Sequence, residues 1–147
     1  MMPAIVFIPD DEAAFEDYEA ELDDTEVIYL AGPIGLPKTK ADYKVLNTRI
    51  AYAAFVQGAL IEDSAYRVVI NPYASCCYAD NFILDRELWI AQGIYLAGVV
   101  ADAICMLPGW ESSDGCQREL AAAQGAGKRC YMWDEDRGLV RLQGGRA

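Results

Sequence analysis

With 147 residues, 54% of them hydrophobic, the chain is long enough to bury one core and is not a disordered polymer. Its 23 acidic against 12 basic residues leave a formal net charge of −11, which argues against binding a nucleic-acid duplex but leaves room for a small nucleotide in one locally positive pocket. There is no histidine, which removes Ser-His-Asp and Cys-His mechanisms and most zinc sites, so acid–base work falls to carboxylates, tyrosine, lysine or water.

Ala4 to Ile8 has the apolar run of a short strand, and Asp10 to Asp24 is acidic with Phe15, Tyr18 and Leu22 at helical spacing. Residues 1–26 therefore read as an appended arm and 27–147 as the domain. Met1 to Ile8 lacks the basic region of a signal peptide, and no apolar segment is long enough to span a bilayer. Val27 to Ala31 is a continuous apolar run suited to a central parallel strand, and Gly32-Pro33-Ile34-Gly35 turns the chain just after it. Leu36 to Lys44 is polar and holds Lys38, Lys40 and Lys44, either a phosphate-binding cluster or a solvated loop. A long helix follows over about Asp42 to Ile61, with Leu46, Ile50, Ala53, Ala54, Val56 and Leu60 as its core stripe.

Arg67 to Ile70 reads as a second strand, ending at Asn71-Pro72, where Asn71 either lines a pocket or makes a turn. Tyr73 to Asn81 forms a loop with Tyr73 and Tyr78 as candidate walls. Asp85 to Val100 reads as a helix whose apolar faces carry Leu88, Trp89, Ala91, Tyr95, Leu96 and Val99. Asp102 falls at the joint between that helix and the next strand, a structural place.

Ala103 to Leu107 is the third strand; Pro108-Gly109 stops it, and Ser112-Ser113-Asp114-Gly115 starts a helix. Loops of this kind lie beyond the carboxyl end of a strand, where α/β sheets bind ligands, and the helix start favours an anion. On that ground Glu119 is expected to stay ionised. A plainer reading makes Asp114 and Gln117 a capping box and Glu119 a partner of the helix dipole. The helix stops at Gly125-Ala126-Gly127; Arg129 to Trp133 is a further strand and Leu139 to Leu142 an edge strand. The cysteines show no Cys-x-x-Cys spacing and read as buried or incidental thiols of a reducing cytoplasm. The order of elements implies an α/β fold: a Rossmann-like or flavodoxin-like open, mostly parallel sheet of about five strands with helices on both faces.

Tyr29-Leu30-Ala31-Gly32-Pro33, taken with Pro108-Gly109-Trp110-Glu111-x-Ser113-x-Gly115-x-x-x-Glu119, resembles the nucleoside 2-deoxyribosyltransferase superfamily, and most closely its small phage-type branch. The resemblance covers roughly Val27 to Trp133. It implies cleavage of the N-glycosidic bond of a nucleoside or its 5′-monophosphate, with Glu119 as nucleophile and Tyr29 as its orienting partner. It implies a sugar or phosphate cradle at Ser113 and Gly115, and substrate contacts from Gly32, Pro33, Asn71, Gly109 and Trp110. It also implies a cytoplasmic homo-oligomer that needs no metal or organic cofactor, whose partner is a small nucleoside or nucleotide.

Each role has a plainer counterpart. A strand tyrosine is often core, a serine at a helix start often only caps, and Trp110 either stacks on a base or fills its loop. The resembled nucleoside transferases tend to carry an acid where Ser113 stands, and the nucleotide hydrolases a serine, which favours a monophosphate here. One departure counts against catalysis. The family's aspartate eight positions before Asp102 is Ile94 here, leaving Asp85 or Glu87 as candidate second acids. The alternatives are a non-catalytic nucleotide sensor or sequestering protein, or an assembly protein that binds no small molecule.

Overall fold

The computed structural model describes residues 26–35, 37–63, 66–76 and 86–142. The expected strand at Ala4 to Ile8, the helix at Asp10 to Asp24, Tyr78, Asp85 and the last residues, Gln143 to Ala147, lie outside them. Among the described residues five strands form one sheet: β1 (Glu26–Ala31), β2 (Tyr66–Ile70), β3 (Ala103–Met106), β4 (Arg129–Asp134) and β5 (Gly138–Arg141), in the order β2-β1-β3-β4-β5. All neighbouring pairs are parallel except β4 with β5. This is the flavodoxin-like strand order with an antiparallel edge, as the alternation of strands and helices implies. The order reverses between β1 and β3, so the carboxyl ends of those two strands open a crevice.

Alternation along β1 and β3 sends successive side chains to opposite faces. Ile28, Leu30, Ala103 and Cys105 join Leu46, Ala53, Val56 and Leu60 of α1 (Lys40–Asp63) in one core. Tyr29, Ala31, Ile104 and Met106 join Ala97, Cys116, Leu120 and Ala123 in the other. These last belong to the second helical layer, formed by α3 (Arg86–Tyr95), a π-helical turn at Leu96–Val100, and α4 (Asp114–Gly125). A short helix, α2 (Tyr73–Cys76), follows β2. Full burial of each large side chain, Leu30 or Leu60 for example, contributes roughly 2 kcal/mol.

The element ends follow local chemistry. Thr39 and Asp42 form a reciprocal capping box at the start of α1: Asp42 N–H donates to Thr39 Oγ1 at 3.1 Å, and Thr39 N–H donates to the Asp42 carboxylate at 3.1 Å. That box starts the helix at Lys40, two residues ahead of the expected start at Asp42, so Lys40 is helical along with Lys44. Ala54, expected in the core stripe, is exposed. At the end of α3 the turn widens, Ala101 N–H reaching Leu96 O at 2.9 Å, which ends the helix. Asp102 then ties the joint down: its carboxylate accepts from Val27 N–H at 2.8 Å. The inward face of α3 and its π turn carries Ile90, Gly93 and Ala97 rather than Leu88, Tyr95 and Val99, which are exposed. Small residues face inward because α3 and its π turn pack closely on α4; a Cβ on Gly98 would lie 3.3 Å from Ala122 Cβ.

Candidate functional site

Glu119 is the one buried charged side chain among the described residues, 8% exposed on the inner side of α4. Tyr29 of β1, 3% exposed, donates its hydroxyl hydrogen to Glu119 Oε2 across ninety positions of sequence. Burial drives the Glu119 carboxyl up to about 7, while the Tyr29 hydrogen bond opposes that rise. The expectation that Glu119 stays firmly ionised is therefore corrected. It lies in the second turn of α4, beyond the reach of the helix-end dipole, and desolvation outweighs what remains of that field. Tyr29 is pushed well above its ordinary value, by burial first and by the Glu119 charge second, so it remains a hydrogen-bond donor at all working pH values.

The pair lies at the floor of a cleft at the strand ends. One lobe, about 580 Å³ including the open space at its mouth, is bounded by Tyr29, Gly32, Gly35, Tyr73, Ser113, Gly115 and Glu119. A second lobe of about 480 Å³ extends under α3, bounded by Tyr29, Ile70, Pro72, Trp89, Gln92, Gly93 and Leu96. Both lobes mix apolar walls with a few polar groups: the first carries Ser113 and Glu119 beside Ile34 and Ile90, the second Asn71 and Gln92 beside Ile70 and Leu96. Tyr29, Pro72 and Trp89 belong to both.

Ser113 is the N-cap of α4, its Oγ accepting from Cys116 N–H at 3.3 Å. The cap is thus Ser113 rather than Asp114, and Gln117 makes no capping box; its amide donates to Glu111 O at 2.7 Å. A Cβ on Gly115 would make only ordinary contact with Ile90 Cγ1, at 3.5 Å, so packing on α3 does not require the glycine. Gly109, at φ +91°, supplies the left-handed turn after β3 and packs on Pro33. Pro33 is held in turn: Tyr73 Oη donates to its carbonyl at 2.6 Å and Arg49 Nη1 at 3.3 Å. Gly32 is needed beneath, since a Cβ there would lie 2.5 Å from Tyr73 Oη.

Pro33 and Gly109 line neither lobe, and the remaining expected residues also fall outside the first. Asn71 borders the second lobe, but its side chain is engaged: Oδ1 accepts from Tyr73 N–H at 3.1 Å and Nδ2 donates to Gln57 at 3.0 Å. Trp110 packs against the core between the sheet and α4, with its Nε1 buried and unpartnered among the described residues. Glu87 is exposed and pairs with Arg118 at 3.2 Å. Neither lobe has a carboxylate besides Glu119 among the described residues.

Three contributors were not legible as site residues in the sequence: Gly93, Arg49 and Cys116. Gly93 is the most constrained, because a Cβ there would collide with Glu119 Oε2 and lie 2.9 Å from Tyr29 Oη. The one signal was a glycine inside a helical pattern. Ile94, the position matching the resembled family's aspartate, borders neither lobe; its neighbour Gly93 is the residue against the carboxylate. Cys116 borders the first lobe, but burial raises its thiol to about 12, so it is protonated and no rival nucleophile.

The arrangement can present one buried carboxylate, oriented by a phenol, to a ligand spanning both lobes. Among the described residues no three carboxylate or thiol groups gather as metal ligands, and no helix is long and apolar enough to cross a membrane. No curated protein matches the chain. A family model described as a domain of unknown function (DUF4406) matches residues 26–132.

Proposed function

The chain belongs to the DUF4406 family, described only as a domain of unknown function; from the geometry of its site and its motifs we propose that it cleaves the N-glycosidic bond of a nucleoside 5′-monophosphate or nucleoside through Glu119. One observation carries the reading: a buried carboxylate, hydrogen-bonded by Tyr29, lines a cleft beside the Ser113 N-cap of α4, and Tyr29, Pro72 and Trp89 join that cleft to a second lobe under α3. A nucleotide laid across the two lobes would bring the bond between its sugar and its base to the carboxylate. The resemblance of the Tyr29-to-Pro33 and Pro108-to-Glu119 motifs to the deoxyribosyltransferases points the same way, and extends to a cytoplasmic homo-oligomer.

In this mechanism ionised Glu119 attacks the anomeric carbon, the C–N bond breaks, and the base leaves with its electron pair and takes a proton from solvent. Water then attacks the anomeric carbon, its hydroxyl going to the sugar and its proton to solvent, and the carboxylate is restored. A second base in place of water gives exchange instead of hydrolysis. Tyr29 holds one carboxylate oxygen and favours its charged form. Ser113 caps α4 through its oxygen, and its hydroxyl, which also reaches the Cys116 thiol, would turn its hydrogen to a phosphate.

A second reading is favoured by one fact, that no second carboxylate borders the lobes among the described residues. On it the cleft binds a nucleotide without turning it over. Chromatographic release of free base from nucleosides and their 5′-monophosphates, with and without an added base, separates the readings. Release abolished by Glu119→Ala establishes the glycosidase; dependence on the added base establishes the transferase. Thermal protection by a nucleotide without any release defeats catalysis and leaves the binder.

A further inference from the structure

A further cavity opens beyond the carboxyl ends of β3 and β4, on the side of the sheet that α1 covers. It measures about 630 Å³ including the open space at its mouth, within the roughly 300–1,000 Å³ of small-ligand sites. Arg49, Tyr52, Tyr73, Leu107, Pro108 and Glu135 border it. Tyr73 is the one described residue that it shares with the two lobes of the cleft.

The charges of this cavity stand apart from each other. Arg49 is half-buried, yet in a chain with 23 acidic residues its guanidinium forms no ion pair among the described residues. Its Nη1 donates to Pro33 O at 3.3 Å, which leaves most of its five N–H groups for an anion. Glu135 borders the same cavity without pairing with Arg49, and nearby Arg137 is taken by Asp134 at 3.5 Å. A cation and an anion thus line one space and neither neutralises the other. Tyr52, one turn along α1 from Arg49, carries a buried hydroxyl with no hydrogen-bond partner among the described residues. Burial first and the Glu135 charge second hold that phenol above its ordinary value, so it is a proton donor. Such a buried, unmade hydrogen bond costs stability until a partner arrives.

We propose that this cavity is a second ligand site, for a small zwitterion of the α-amino-acid class with an apolar side chain. Arg49 and Tyr52 take its carboxylate, Glu135 its ammonium, and Leu107 and Pro108 its side chain. A lone anion would satisfy Arg49 but meet the Glu135 charge, and a lone cation would do the reverse. An apolar molecule would leave both charges and the hydroxyl without partners. One small molecule with both charges meets all of these demands. The assignment stands whether or not the cleft turns over a nucleotide.

Titration calorimetry on the full chain, with L-leucine and L-phenylalanine as probes, is the test. At least one of them should bind with one molecule per chain. Its N-acetyl derivative, which lacks the ammonium, and its amide, which lacks the carboxylate, should each bind at least tenfold more weakly. Arg49→Gln and Glu135→Gln should each weaken the amino acid at least tenfold, and Glu135→Gln should leave the N-acetyl derivative within twofold. Thr48→Trp, at an exposed α1 position bordering the cavity, should fill it and abolish binding. Thr48 and Glu135 are both exposed, so these variants keep the test sound even if Arg49→Gln loosens the Pro33 turn. Glu119→Gln, in the cleft, should bind the amino acid as the unaltered chain does. No binding of either amino acid at millimolar concentration would overturn the proposal, as would equal affinity for the truncated derivatives. Binding that survives Glu135→Gln and Thr48→Trp, or is lost in Glu119→Gln, would move the ligand elsewhere and overturn it too.

Discussion

Glu119 concentrates opposing forces in one carboxyl group: burial favours its neutral form, and the Tyr29 hydrogen bond favours its charge. With the carboxyl near 7, a reaction that needs the carboxylate should lose rate as pH falls through about 7, seen as an acid limb in kcat/KM. Tyr29→Phe removes the interaction that lowers the Glu119 value. The limb should then move to higher pH, and kcat/KM should fall roughly 10- to 100-fold from loss of a charge-assisted bond. A limb that stays in place in this variant would contradict the assigned role of Tyr29. Stability moves in the opposite sense to activity. The folded-state value lies above the ordinary 4.5, so the folded chain holds more protons than the unfolded between the two. This contribution is complete below 4.5 and is lost as pH rises through about 7. Glu119→Gln removes the loss, so its stability, followed by thermal melting, should gain on wild type as pH rises from 4.5 to 8, by an amount on the order of 2–3 kcal/mol. Parallel melting curves across that range would refute the burial effect.

Two helices hold the site by close approach. Gly93 brings the backbone of α3 against the Glu119 carboxylate, and no side chain fits between them. Gly93→Ala should improve helix propensity by about 1 kcal/mol yet push the carboxylate aside. Activity should fall at least 100-fold while melting changes little, which paired kinetics and calorimetry would show. Wild-type activity in Gly93→Ala would mean that the carboxylate geometry is irrelevant. In α4, Ser113 has two separable duties. Loss of the cap in Ser113→Ala should lower stability by about 1 kcal/mol. Loss of a phosphate donor should also raise KM for a 5′-monophosphate roughly tenfold while leaving the parent nucleoside unchanged. Equal KM changes for both would reduce Ser113 to a cap.

At the scale of the molecule, the reversal of strand order between β1 and β3 makes the cleft, because connections from those strands leave to opposite faces. A ligand that spans both lobes bridges β1, α3 and α4, so binding should stabilise the whole fold. In Glu119→Gln, which retains the cleft, a nucleoside monophosphate at a hundred times its Kd should add about 2.7 kcal/mol. Free base or ribose phosphate alone should give much less at the same concentration. Equal protection by a half-ligand would mean that one lobe suffices.

The sequence by itself determined the element order, the open α/β sheet and the two-faced pattern of β1 and β3. Alternation and helical spacing are local, and burial on both faces enforces them. It also marked Glu119 and Tyr29, though only through a family pattern, since nothing local links residues ninety positions apart. Tertiary structure alone decided the rest. The rotation of α3 put Gly93 and Ile90 inward in place of Leu88 and Tyr95, and turned Ile94 away from the cleft. Packing engaged both ends of the Asn71 amide, buried Trp110 beside the sheet and turned Glu87 to a surface ion pair. The depth of burial decided the protonation of Glu119. Each depends on which surfaces meet across long sequence separations, and desolvation at those contacts outweighs the local preferences that a sequence displays.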